Sequence, residues 1–368
     1  MLLIRKLTPP LTRYAQRFYA YKAASTATSK AMKQVHKEQL LHVSRNAKIT
    51  IRSDIYMQIR AGDVLHYPEG TAIHSELYGK PEKNLSADVK ITVSENEQEV
   101  EIVCSKLKDD SDCHCSLALP ILADLNIETK DSVKLENIYN KELKIKAEKN
   151  IITNDIKSAN IELLSESGNI TCEGLFLADT STVETKGNGK IKLYKPQGNL
   201  LECKTTSGNI QINSCYVESS KFTTDTGAML LKHVHKKAQV FVNKHGDLKI
   251  SGFNGNLFVR SNGGSMDLQL SEIEGENVVM AEDLEQATVN ISDMIEERSF
   301  IEITASEVVL DSPLSHLSDG LNSDNTVFQM STERDNNNKL MICTKGAVKL
   351  GKLSWAESMK LAMGVKEK

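Results

Sequence analysis

This sequence is poor in aromatic residues, poor in proline and without a long apolar run. Phe, Tyr and Trp make up 5% of its 368 residues, with a single Trp, and there are 7 prolines. No uninterrupted apolar stretch reaches the ~18 residues that a membrane helix needs, so no transmembrane segment is expected. A net charge of -4, from 45 Lys+Arg against 49 Asp+Glu, excludes nucleic-acid binding driven by overall charge. Cysteines are scattered and odd in number, at 7, which argues against a fully paired disulfide framework and fits a reducing compartment.

One sign of charge is missing altogether from residues 1–37. Arg5, Lys6, Arg13, Arg17, Lys22, Lys30, Lys33 and Lys37 stand there without an acid, and the first carboxylate is Glu38. The remainder carries 37 Lys+Arg against 49 Asp+Glu, a net of -12. Leu11, Tyr14, Ala15 and Phe18 recur at helical spacing, with Arg13 and Arg17 on another face. An amphipathic, basic, acid-free leader is the pattern of a mitochondrial transit peptide. Arg17-Phe18-Tyr19 before Ala20 resembles a matrix-protease site cut after Tyr19. The expected address is the mitochondrial matrix, a disordered basic tail being the plainer alternative.

The middle of the chain repeats. Gly168-Asn169-Ile170, Gly189-Lys190-Ile191, Gly208-Asn209-Ile210, Gly227-Ala228-Met229, Gly246-Asp247-Leu248 and Gly264-Ser265-Met266 follow one another at glycine spacings of 21, 19, 19, 19 and 18. Ser165, Thr205, Thr224, Asn243 and Ser261 stand five residues before the apolar position in five of these units, while Thr185 is displaced by one. Weaker units extend the series outward at Val133 and Ile151, and at Val289, Val308, Val327 and Val348. A jump of 23 before Val289 predicts an outward loop near Ser271–Glu276. Each unit holds two short alternating runs, such as Ile210-Gln211-Ile212 and Val240-Phe241-Val242, bounded by Gly, Asn and Ser. Such runs read as half-buried strands, with glycine supplying positive φ at the corner. Two strands per unit fit a meander of hairpins or a β-solenoid. A fixed unit length with one residue type at one place favours the solenoid, in which like residues stack every ~4.8 Å. A narrow coil interior also accounts for the few aromatics.

Leu117-Ala118-Leu119-Pro120, Leu125-Asn126-Ile127-Glu128-Thr129 and the recurring unit Thr205-Thr206-Ser207-Gly208-Asn209-Ile210-Gln211-Ile212 resemble the putative-adhesin domain, a family of unknown function. The resemblance covers residues 86–312 well and 313–350 loosely. It implies an all-β solenoid and no catalytic residue. The expected organisation is a leader over 1–37, a β cap over 46–115, a solenoid over 116–350 and a C-terminal helix or tail over 351–368. The cap includes a hairpin of Val89–Val93 with Val100–Val103, and the helix starts in the capping box Ser354-Trp355-Ala356-Glu357.

Candidate chemistry is sparse. Cys113-His114-Cys115 offers soft metal ligands but lacks a second pair nearby, and alternation puts its thiols on one face and its imidazole on the other. His233-Val234-His235 puts two imidazoles on one strand face, with His245 a coil later, among Lys232, Lys236 and Lys237. That cluster reads as a solvated basic face. The acids Asp109, Asp110, Asp112, Glu282, Asp283, Glu285, Glu296 and Glu297 read as turn and surface positions. Gly187-Asn188-Gly189-Lys190 lacks the phosphate-loop spacing, and Ser261–Asp267 offers only one calcium-repeat-like unit. No residue is assigned to catalysis, to a cofactor or to a metal, and no cofactor is expected. The expectation is a non-enzymatic mitochondrial scaffold or interaction module with an acidic surface, unknown protein partners and no nucleic acid. The alternative is an enzyme or binding protein that takes an elongated, polysaccharide-like substrate along one solenoid face.

Overall fold

Residues 34–62, 70–79, 87–107, 113–330 and 337–353 are described by the structure, a computed structural model, with Glu285 described in its backbone alone. The leader through residue 33, the candidate cut after Tyr19 and the capping box with its C-terminal helix lie outside these residues.

One central unit shows how the coil is built. Along strand Ile170–Thr185 the buried side chains are Ile170, Cys172, Phe176, Ala178, Ser181, Val183 and Thr185. Inward alternation resets after Cys172 and again after Ala178, so the strand bends twice into three short runs before the turn at 186–189. The next unit lies parallel to it and in register. Ile151, Ile170, Ile191, Ile210, Met229, Leu248 and Met266 form one stacked column, joined by parallel pairing at every step. A meander would require antiparallel neighbours; the fold is a β-solenoid. Small and branched side chains fill the narrow interior, with Phe176, Phe222 and Phe253 as its bulkiest members.

Glycine recurs at the turn for a reason other than the positive φ expected for it. At 168, 189, 208, 227 and 246 the glycine backbone is not left-handed. A Cβ on Gly208 would lie 1.7 Å from the carbonyl oxygen of Gly189, and one on Gly227 equally close to that of Gly208. Glycine stacks on glycine because the coils approach too closely there for a side chain. Beside this column runs a buried hydroxyl column of Ser165, Thr185, Thr205 and Thr224, so Thr185 stands in register despite its displacement in sequence. Val242, not Asn243, occupies the next place. The Thr205 hydroxyl accepts the Gly208 N–H at 3.1 Å and donates to the Gly189 carbonyl one layer back at 3.2 Å. An outer ladder adds to this: Asn150, Asn169, Asn209 and Asp247 each accept, through Oδ1, a backbone N–H of the following layer.

Both ends of the stack depart from chain order. Within 46–115, strands Lys48–Ser53 and Tyr56–Ala61 form a parallel layer between those of 124–139 and 99–119. Strands Gln34–His42 and Ala72–Gly79, and the hairpin strand Ala87–Val93, then pair antiparallel at that end. At the other end, Lys339–Thr344 and Ala347–Lys352 slot between the layer of 276–291 and that of 300–310. Val348 therefore stacks directly on Ala287, with Val308 beyond it. Val327 belongs to an antiparallel strand on Phe300–Thr304 and is not a solenoid unit. Val289 lies two residues past its expected place, opposite Leu268, because Ala287 pairs with Met266. No loop stands at 271–276: strand Gly264–Ile273 leads through a tight turn into Glu276–Ala281, and a register shift after Gly264 absorbs extra length. Antiparallel covers of this kind stop further parallel addition at the ends.

The interior also houses thiols. Cys172, Cys203 and Cys215 are buried, and burial pushes the Cys172 thiol up to about 12 and that of Cys215 to about 11. Burial likewise holds Cys203 well above the usual range, while Cys104 is raised first by its hydrogen bond with Cys115. Cys343 is exposed.

Gly208→Ala should cost on the order of 3–5 kcal/mol in urea unfolding, through a backbone clash that packing cannot relieve. Gly187→Ala, at φ +66° in open space, should cost only about 1–2 kcal/mol. Thiol titration of the native chain should modify Cys343 in its fast phase and spare Cys172, Cys203 and Cys215 until denaturant is added.

Candidate functional site

The long outer surfaces of the solenoid differ in how they handle charge. Along the runs that end each coil, lysines and acids alternate from layer to layer and pair. Lys144 meets Glu162 at 2.8 Å, Lys186 meets Glu166 at 2.9 Å, Lys204 meets Glu184 at 3.2 Å and Lys221 meets Glu202 at 2.9 Å. This face is self-neutralised, which the expectation of a continuous acidic surface did not foresee. Each exposed pair is worth ~1 kcal/mol or less.

The first bend of the coil is different. Its corner is a column of left-handed residues: Asn137, Asp155, Gly174, Ser214, His233 and Gly252, with φ of 57°, 53°, 65°, 60°, 50° and 74°. Glycine and short polar residues tolerate this conformation best, and histidine is enriched there among the rest. Just past the corner, an outward column runs through Tyr139, Lys157, Leu177, Gln197 and Tyr216. His235 continues it, its ring stacked on Tyr216 with centroids 4.9 Å apart. Two shallow depressions open on the same corner. One, of about 490 Å³, is lined by Leu122, Asp124, Tyr139, Lys141 and Lys157; the other, of about 590 Å³, by Glu173, Leu175, Tyr194, Lys195 and Gln197, so each holds one carboxylate beside its lysines. Lys192 Nζ lies 4.8 Å from the Tyr194 ring centroid.

Lysines here are not neutralised as they are on the paired face. Among the described residues Lys157, Lys195 and Lys232 at this bend, and Lys236 and Lys237 at the next one, have no carboxylate in ion-pair contact, unlike Lys221 and Lys244. Tyr216 is 51% exposed. The corner thus offers apolar rings and unpaired cations side by side. Rings and cations in this arrangement are able to contact a ligand that carries negative charge and some apolar surface.

The other singled-out residues are placed as follows. Cys113 and Cys115 are buried and His114 points outward, stacked on Tyr78 at 4.7 Å, so alternation divides the three as expected. His245 sits in the 243–247 turn rather than a coil beyond His235; the residue after His235 in its column is Asn254. Glu282 and Asp283 are exposed, and Arg260 approaches Glu282 at 3.9 Å. Glu296 is not a surface acid: its side chain is 14% exposed, between Lys352 at 2.7 Å and His316 at 2.8 Å. Asp109, Asp110 and Asp112 lie outside the described residues, as does the side chain of Glu285. Tyr139, Lys157 and Tyr216 carry no motif of their own in the sequence, whereas His235 belongs to the His233-Val234-His235 cluster; all four stand six residues after the first core position of their units, at Val133, Ile151, Ile210 and Met229.

Residues 86–292, more than half of the chain, match the family described as Toastrack DUF4097. The chain belongs to that family. Solved structures with similarity to this Toastrack chain include a putative adhesin from Bacteroides fragilis NCTC 9343, at 15% identity and a TM-score of 0.36, covering 61% of this chain and 94% of that one. Another is a putative adhesin from Parabacteroides distasonis ATCC 8503, at 9% identity and a TM-score of 0.37, covering 85% and 96%. A third, from the same organism, is a putative lipid binding protein at 11% identity and a TM-score of 0.32, also covering 85% and 96%. No helix among the described residues is long and apolar enough to cross a membrane.

Burial lowers the pKa of both His233 and His235, and the neighbouring positive charges lower them further. A histidine whose pKa falls on folding binds its proton more readily in the unfolded chain. Its contribution is complete above about pH 6.5 and declines as the pH falls toward the folded-state value. The melting temperature should therefore drop between pH 7.5 and 5.5, and the drop should shrink in a His233→Asn, His235→Gln variant. An unchanged pH slope in that variant would show that other groups control it.

Proposed function

We propose that this Toastrack chain is a non-enzymatic interaction module, and that it binds an acidic, extended protein segment along the corner between Tyr139 and Lys237. The observation that carries this reading is the set of unpaired lysines and exposed rings along the short run between the two bends, while the lysines of the paired face are tied to carboxylates. The column presents one outward side chain at each ~4.8 Å step, so an extended partner can run along it across several layers. Repeat proteins use long surfaces in this way. The acid-free leader supports delivery to the mitochondrial matrix, where buried thiols remain reduced.

Reversing Lys232 and Lys236 to Glu, together with Tyr216→Ala, should weaken capture of partners from mitochondrial extracts roughly tenfold or more relative to the unaltered chain. Raised salt should produce a similar loss, because the contact is solvent-exposed and electrostatic. An identical captured set at unchanged yield would place the interaction surface elsewhere. Binding to anionic vesicles in place of acidic proteins would replace the proposed partner class. For the address, a C-terminally tagged chain should enter mitochondria and lose that location on deletion of residues 1–37; a chain cytosolic in both forms would refute it.

A further inference from the structure

The end of the solenoid that carries strand Gln34–His42 holds a second cluster, far in sequence from the lysine corner. Strand Gln34–His42 is the outer edge of its sheet and buries little of itself, its side chains being exposed or half-buried throughout. It pairs antiparallel with Ala72–Gly79 in a register that sets Glu38 directly opposite Glu76 and Leu40 opposite His74. His74 and Glu76 are two residues apart on one strand and so share a face. His74 Nε2 lies 2.8 Å from Glu38 Oε1, and one ligand atom from each of Glu38, His74 and Glu76 lies within 4.8 Å of the other two.

Two carboxylates placed directly opposite each other across strands repel unless something positive joins them. Among the described residues neither Glu38 nor Glu76 has a lysine or arginine in ion-pair contact. Glu76 is nonetheless held in place: the Tyr78 hydroxyl donates to its Oε2 at 2.9 Å. An outer-shell donor that orients a carboxylate is a recurrent part of metal sites. The Glu38 side chain is 64% exposed and free to close on an ion, whereas His74, at 24%, is largely fixed.

We propose that Glu38, His74 and Glu76 form a divalent transition-metal site, with zinc as the best-suited ion. One imidazole and two carboxylates give three ligands and leave a fourth position to water. The imidazole disfavours calcium and magnesium, which prefer all-oxygen shells. The ion would fasten the edge strand to its neighbour, in the place where paired charges alone leave two like charges facing.

The test is calorimetric titration of zinc chloride into the full chain carrying Cys343→Ser, which removes the exposed thiol as a competing ligand. The expected result is one zinc per chain, with affinity reduced roughly tenfold or more in His74→Ala, in Glu76→Gln and in Tyr78→Phe. Hydrogen exchange over residues 34–42 should slow on zinc addition in the chain with all three ligands and not in His74→Ala. Circular dichroism of the variants separates lost ligands from lost folding, since all three positions are on the sheet exterior. Absence of zinc binding, binding unaltered by His74→Ala, or displacement by equimolar magnesium would each overturn the proposal.

Discussion

Parallel hydrogen bonding between successive coils is the constraint on which the rest of this molecule depends. The ladder can run from one layer to the next only if every coil turns its corners at the same place. At the glycine corner the layers approach so closely that a side chain on Gly208 or Gly227 would enter the carbonyl below. At the first bend the same demand appears as left-handed residues from Asn137 to Gly252, in each layer but the one that begins at Ile191, whose bend is one residue shorter. Buried hydroxyls such as Thr205 then serve both the turn and the layer beneath, satisfying groups that would otherwise be buried without partners.

Stacking at a short, regular spacing also dictates the surface. Whatever side chain occupies an outward position is brought beside its counterparts in the neighbouring layers. On one face the counterparts are lysines and glutamates that neutralise one another; at the bend they are tyrosines, lysines and histidines that do not. The same architecture thus produces one face whose charges are paired and another whose lysines and rings are not. A stack also has two ends, and here each end places a distant segment as its next-to-last layer. Residues 48–61 and 339–352 are each gripped on both sides by parallel neighbours, which ties the ends of the fold into its body.

The central coils were legible in the sequence because each unit carries a glycine, an apolar pair and a turn hydroxyl at nearly constant spacing. Even Thr185, out of step by one in the sequence, falls into register because the extra residue is absorbed by the turn after it. The outer coils were less legible. Val289, Val308, Val327 and Val348 fit a spacing, but strand identity at the ends is settled by which partner a segment finds. Ala287 takes the place expected for Val289, and the strand that begins at Val327 runs antiparallel. The cation and ring column was also visible as a sixth position in four units, yet it has no meaning until the bend is known. The Glu38, His74 and Glu76 cluster could not be read from sequence, because its members meet only across an antiparallel pair.

Composition and periodicity by themselves determined that this chain is all-β, that it stacks, and that its interior is narrow and nearly free of aromatics. They did so because a solenoid repeats its local requirements, and local requirements are written in each unit. Tertiary structure alone decided the order of the layers at the two ends, the pairing of charges on one face, and the gathering of unpaired lysines and rings on the corner. Those features depend on contacts between residues of different layers, and such contacts come into being only when the coils are stacked.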